Sequence, residues 1–327
     1  MWNIIGHQHL LAFLEHAQTS GHLNHAYLFA GPAHVGKRTL ALAFAQSILC
    51  TEQHPHPPGS PCGTCRACVK VQSGTHPDLN VIRPPEGKKG PSIEAIRAMV
   101  LASALQPQEG HYSIFLLPNA ELLTIEAANT LLKTLEEPPP QTILLLTTDD
   151  EQMIPRTIIS RCQVLTASLV NTGEIRQALV TQWHIPEERA ATISALAAGQ
   201  PGWAIAASQN QALQEERVVW LQIMSTLCES GPAERIKIAA KLAHDTEQLS
   251  ELLAIWLIWW REMLLSSEGY LHADIPGDIQ IGKYTQRIQS TTARQVIEQI
   301  QEALRQLEQN ANPRLVLETL LLALPSL

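Results

Sequence analysis

The apolar positions in the first half of the chain form short, dense runs separated by longer patterned stretches. Ala26-Tyr27-Leu28-Phe29-Ala30, Ser113 to Leu117 and Thr142 to Thr147 read as buried strands. Leu79 to Ile82 and Gln163 to Thr166 are two shorter candidates. Between them Arg38 to Leu49, Ser92 to about Leu105, and Thr124 to Glu136 carry helical patterning. Ser92 is placed to cap its helix, with Glu94 in the first turn, and Pro138-Pro139-Pro140 stops the third helix. Strands alternating with helices predict a parallel sheet with helices on both faces.

After about Ser168 the strands stop. Glu174 to Trp183, Pro186 to Ala198 and Gly202 to Ala207 read as a small helical unit, and from Gln211 the pattern is helical to the end. Ala293 to Leu307 sets Val296, Ile297, Ile300, Leu304 and Leu307 on one face, and Pro313 opens a final helix through Leu324. The expected organisation is an α/β domain over residues 1–167, a small helical domain over 168–210 and a larger helical domain over 211–327. Trp256, Trp259 and Trp260 have near-helical spacing and are expected in the core rather than on a base-stacking surface.

Composition narrows the function classes. The chain has 327 residues, 45% of them apolar, enough for several packed units. A net charge of -8 argues against a self-sufficient DNA binder, which needs a surplus of Lys and Arg. The stretch Leu252 to Leu265 is broken by Arg261 and Glu262, so no membrane span is expected. Met1 to Ile5 lacks the marks of a signal peptide, and a cytoplasmic location is expected. In a reducing compartment clustered cysteines favour metal over disulfide.

Cys50, Cys62, Cys65 and Cys68 are spaced C-x11-C-x2-C-x2-C, and four thiolates at that spacing can surround one structural zinc ion tetrahedrally. Cys162 and Cys228 stand apart and are expected to be buried thiols. His76-Pro77-Asp78 reads as a turn before a strand, Gln53-His54-Pro55-His56 and the Lys88-Lys89 loop as solvated segments.

Just before the cysteines, Gly31-Pro32-Ala33-His34-Val35-Gly36-Lys37 links a strand to a helix in the order phosphate-binding chemistry needs. Gly31, Gly36, Lys37, Arg38 and Thr39 are the candidate nucleotide contacts. Arg38, however, stands where Ser or Thr would hold Mg²⁺, and Thr39 comes one residue too late. The strand that should end in acidic residues is followed by Pro118-Asn119-Ala120-Glu121, and Glu121 is offset from the usual position. Two degraded catalytic parts predict weak ATP binding at most and no self-contained ATPase.

Asn24 to Pro32, the four cysteines, Gly74-Thr75-His76-Pro77-Asp78, Ala127 to Pro139 and Ser160-Arg161-Cys162 form one series. Together they resemble the bacterial DNA polymerase III clamp-loader AAA+ proteins, closest to the delta-prime type. The resemblance is dense over residues 1–167; beyond it Gly199-Gln200-Pro201-Gly202 and Asn312 to Glu318 still fit. It implies an AAA+ domain with a zinc module at about residues 50–68, a helical lid and a helical collar. The collar joins five subunits, of gamma/tau and delta types, in a ring that loads a sliding clamp onto primer–template DNA. It implies a largely non-hydrolysing, non-catalytic subunit of a polymerase holoenzyme. It also makes Arg161 an arginine finger acting on a neighbour's ATP. Trp203 stands where a motor subunit carries an ATP-sensing arginine. The alternatives are an active gamma/tau-type motor ATPase that tolerates Arg38 and uses Glu121, and a free-standing zinc-dependent nucleic-acid binder.

Overall fold

The computed structural model describes residues 2–52, 58–85, 87, 90–244, 246–269, 288–309 and 311–325. Residues 53–56 and Lys88-Lys89, read above as solvated, lie outside this set. The chain forms two compact units, Met1–Ile175 with Gln200–Trp203, and Arg176–Gly199 with Ala204–Leu327.

The first unit carries α1 (Gln8–Thr19), β1 (Ala26–Ala30), α2 (Lys37–Leu49), α3 (Arg66–Gln72), β2 (Leu79–Val81), α4 (Ile93–Ser103), β3 (Ser113–Leu117), α5 (Ile125–Glu136), β4 (Thr142–Thr148), α6 (Arg156–Ile159) and β5 (Gln163–Thr166). The strands form one sheet in the order β2-β3-β4-β1-β5, every pairing parallel. Strand alternation divides the core in two. Tyr27, Phe29, Leu116 and Leu145 pack with α1 and α2 residues such as Leu14 and Phe44. Leu28, Phe115, Leu144 and Leu146 pack with Ile96 of α4 and Leu131 and Leu135 of α5.

The expected cap is in place, Ser92 Oγ accepting from Ala95 N at 3.2 Å, and Thr124 Oγ1 caps α5 in the same way, accepting from Ala127 N at 3.2 Å. Three helices of this unit were not legible beforehand, the four-residue α6 among them. The helix α1 starts after His7 in a left-handed conformation with no side-chain cap, so no start signal precedes it. The seven-residue α3 lies inside the cysteine segment. Asp78 closes the turn before β2, accepting from the N–H groups of Gln108 (2.6 Å), Glu109 (2.8 Å) and Gly110 (2.7 Å).

The elements described beyond β5 are all helices: α7 (Thr172–Trp183), α8 (Glu187–Ala197), α9 (Pro201–Gln209), α10 (Gln211–Glu229), α11 (Pro232–Leu242), α12 (Thr246–Ser267), α13 (Ser290–Glu308) and α14 (Pro313–Ala323). Trp256, Trp259 and Trp260 are fully buried, as expected of core residues, and Trp256 Nε1 donates to Trp220 O at 2.9 Å. Arg235 is also buried, donating to Leu227 O at the end of α10 and to Leu321 O and Leu324 O at the end of α14. It thus satisfies carbonyls that helix C-termini leave unpaired. No helix among the described residues is long and apolar enough to cross a membrane.

Candidate functional site

Three sites predicted from sequence occupy distinct places on the first unit. The glycine loop leaves β1 at the C-terminal end of the sheet. A Cβ on Gly31 would come within 2.0 Å of Ala167 O, so the loop can follow this path only with glycine there. Gly36, at φ 99°, turns the chain into α2, and Lys37 is its first residue.

The Lys37 ammonium is buried and already saturated. Its Nζ donates to Gly31 O at 2.7 Å and Pro32 O at 2.6 Å, and lies 2.6 Å from Asp149 Oδ1. Three acceptors match its three N–H donors. The remaining loop carbonyls are engaged too. Gln200 Nε2 donates to Ala33 O at 3.2 Å, Gly202 N to His34 O at 2.8 Å, His7 Nε2 to Val35 O at 2.9 Å and Leu40 N to Gly36 O at 2.9 Å. Burial holds the His7 imidazole below its ordinary pKa, which suits a neutral donor to that carbonyl. Arg38 and Thr39 lie exposed on the first turn of α2.

Sequence reasoning missed Asp149. The available signal was an acid directly after the fourth strand, but its meaning depends on β4 lying beside β1, where Ala30 pairs with Thr148. Glu121, read as a poor substitute for a catalytic acid, lies near this corner: Asp149 N donates to Glu121 Oε1 at 3.4 Å. Burial raises the Glu121 carboxyl above its usual range. Asn119 sits in a left-handed conformation, its N–H donating to Thr147 Oγ1 at 3.2 Å.

The second site is the cysteine cluster. The Sγ atoms of Cys50, Cys62, Cys65 and Cys68 all lie within 4.8 Å of one another, with Cys50 and Cys65 3.9 Å apart and Cys62 and Cys68 3.7 Å apart. Zn–S bonds of about 2.3 Å in a tetrahedron give S···S separations of about 3.8 Å, so the donor set fits such an ion. Cys65 caps α3 with its sulfur, accepting from Cys68 N at 3.4 Å, and Cys62 Sγ accepts from Cys65 N at 3.2 Å and Thr64 N at 3.4 Å. Burial disfavours charge at Cys65, but the N–H donors of Cys68 and Thr51 outweigh it and bring the thiol down to about 6. Burial raises Cys50 and Cys68 instead. These four cysteines can therefore hold a metal ion. Gln46 of α2 ties the cluster to the sheet domain by donating to Cys68 O at 3.0 Å. Cys228 is buried and Cys162 half-buried, and burial pushes each thiol up to about 12.

The third site is Arg161, just before β5 and therefore at the N-terminal end of the sheet, opposite the glycine loop. Its Nη2 donates to Glu136 Oε1 at 2.8 Å, and its Nη1 to Thr157 O at 2.9 Å and Ser160 Oγ at 3.3 Å. About a third of the side chain stays exposed, 34%. Its ion-pair partner, Glu136, is the last residue of α5. Trp203, at the position of the expected sensing arginine, is buried.

These features can be set beside known proteins. The family model for "DNA polymerase III, delta subunit" matches residues 6–170. The DNA polymerase III subunit delta' of Pseudomonas aeruginosa is 34% identical over 59% of this chain and 58% of its own length. The Bacillus subtilis delta' subunit is 36% identical over 49% of this chain, which covers 47% of that protein. The Yersinia pestis delta' subunit is 32% identical over 75% of this chain and 73% of its own length. The chain thus spans about half the length of the first two relatives and nearly three quarters of the third. With its all-parallel sheet, glycine loop and cysteine insert followed by helices, this chain belongs to the delta-prime family of bacterial DNA polymerase III clamp-loader proteins.

Proposed function

We propose that this chain is a delta-prime subunit that works inside a clamp loader as a largely non-hydrolysing AAA+ partner, supplying Arg161 to the ATP of a neighbouring subunit. Its partners on this reading are gamma/tau- and delta-type subunits in a five-subunit ring, with a sliding clamp and primer–template DNA reached through the complex. Residues 1–167 serve as the AAA+ domain, 168–210 as the lid and 211–327 as the collar. The site of action is the cytoplasm.

The observation that carries this reading is the placement of Arg161 at the sheet end away from the chain's own glycine loop. A four-residue strand spans about 13 Å, which exceeds an arginine's reach once it is also held by Glu136 and Thr157. The guanidinium is thus available to a partner and not to its own loop. A fixed planar cation stabilises charge that develops on a transferring phosphoryl group. At the loop, a phosphate would have to displace one of the three acceptors around Lys37, and no Mg²⁺ ligand follows it.

Zinc at Cys50, Cys62, Cys65 and Cys68 would be structural, because four protein thiolates leave no open coordination position. It would crosslink the end of α2 to α3 and hold the insert folded.

The test is Arg161→Ala in a complex reconstituted with its gamma/tau and delta subunits. Assembly by size-exclusion chromatography should be unchanged, and clamp- and DNA-stimulated ATP turnover should fall. Unchanged turnover in a fully assembled complex would reduce Arg161 to a surface ion-pair partner.

A further inference from the structure

We propose that Glu136 is a positioning residue for Arg161: its carboxylate fixes the plane of the guanidinium so that the remaining N–H edge points in one direction out of the fold. The inference rests on the arginine-finger reading above and deepens it.

Glu136 occupies a place that helix chemistry disfavours. It is the last residue of α5, followed by Glu137, so two carboxylates stand at the negative end of the helix dipole. Lys133 is the one basic residue in that last turn, yet the carboxylate of Glu136 turns to Arg161, 25 residues away. A local rule broken at a site otherwise built of good helix signals is where a functional constraint is expected. Thr124 caps the start of the same helix and Glu126 suits its positive end, so the departure is confined to the end that meets Arg161.

The accounting of donors shows what the carboxylate does. A guanidinium has five N–H donors in a rigid fork. Thr157 O and Ser160 Oγ take those of Nη1, and Glu136 Oε1 takes one from Nη2. Among the described residues this leaves the second hydrogen of Nη2 and the Nε–H for an outside acceptor. Thr157 and Ser160 belong to the same turn as Arg161 and move with it; Glu136 is the anchor from a different element. That element does not move freely. Leu131 and Leu135 of α5 share one buried cluster with Ile158 of α6, and Pro138 follows at once. Core packing thus sets the carboxylate position, and the carboxylate sets the fork. Arg161 itself lines a shallow, open cleft together with Asn24, His25, Ser160, Cys162 and Gln163.

An arginine released from this anchor would keep its charge but lose its direction. The cost should therefore appear in the rate at saturating ATP and not in assembly or in KM.

The experiment is a double-mutant cycle in the reconstituted complex, read as steady-state ATP turnover with clamp and primed DNA. Glu136→Ala should lower the maximal rate by about threefold to tenfold with KM unchanged. Glu136→Gln keeps an oxygen that can accept from Nη2 and should recover most of the loss. The double variant Glu136→Ala/Arg161→Ala should turn over no more slowly than Arg161→Ala alone, because Glu136 acts only through the arginine. Size-exclusion chromatography confirms assembly for each variant. An equal loss from Glu136→Ala in the Arg161→Ala background, or no loss in the wild-type background, would overturn the positioning role. If Arg161→Ala itself has no effect, the finger reading fails, and that outcome is visible separately from the cycle.

Discussion

The two ends of the sheet treat a cation in opposite ways. At the C-terminal end Lys37 is 6% exposed and spends every donor inside its own chain, on two loop carbonyls and Asp149. At the N-terminal end Arg161 is 34% exposed and holds donors in reserve. Both residues follow the sequence pattern of a nucleotide-handling protein, yet only one is presented outward. A motif of the right composition can therefore be internalised while a single residue at the far edge stays open to an outside acceptor. Lysine and arginine also suit these fates differently. Three ammonium hydrogens are saturated by three acceptors, whereas five guanidinium donors allow a residue to be anchored and still available.

The sharpest way to test the contrast is to change the fork and keep the charge. Arg161→Lys should restore little of the turnover lost in Arg161→Ala, leaving the complex on the order of 10-fold to 100-fold below wild type. Full activity with lysine would mean that charge alone suffices and would dissolve the distinction between the two cations.

Cys65→Ser should remove most of the bound metal, measured as metal per chain by atomic emission, because one of four thiolates is lost. Both sheet ends should persist by circular dichroism. Full metal retention would take Cys65 out of the ligand set.

Acid should weaken the turn that Asp78 closes at the N-terminal end of the sheet. Burial opposes charge at Asp78, but three backbone N–H bonds outweigh it and hold its pKa below the ordinary value. A depressed folded-state pKa contributes stability that is fully present above the unfolded value, about 3.9, and is lost as pH falls through the folded value. Asp78→Asn should cost about 3 kcal/mol at pH 7, and the gap from wild type should close below about pH 4. Urea unfolding across pH checks this, and a gap that does not change with pH would show that the carboxylate charge plays no part.

Lys37→Ala should have the smallest effect. It strands two loop carbonyls but leaves Asp149, 48% exposed, to be solvated, so the expected loss is about 1–2 kcal/mol in stability. ATP hydrolysis by the isolated chain should stay at background in both forms. A robust rate that vanishes with Lys37→Ala would break the comparison and favour the motor alternative, with Glu121 as its acid.

Much of the fold was legible because its signals are local. The five strands, the capped start of α4 and the proline stop after α5 follow from short-range periodicity and capping chemistry. The clustering of the four cysteines was legible from spacing, since two-residue gaps turn neighbouring thiols toward one point. The role proposed for Arg161 came from resemblance, because a lone arginine carries no local mark of its use.

Tertiary structure alone decided who meets whom. The sequence named Lys37, Arg161 and the four cysteines as the chemistry-bearing residues, but not Asp149, Gln200 or Glu136 as their neighbours. The strand order places β4 against β1, and this brings Asp149 to Lys37. Gln200 reaches Ala33 across a separation of 167 residues. Such contacts depend on packing between elements, whose energies are spread over many apolar side chains and leave no periodic trace at the residues that finally touch.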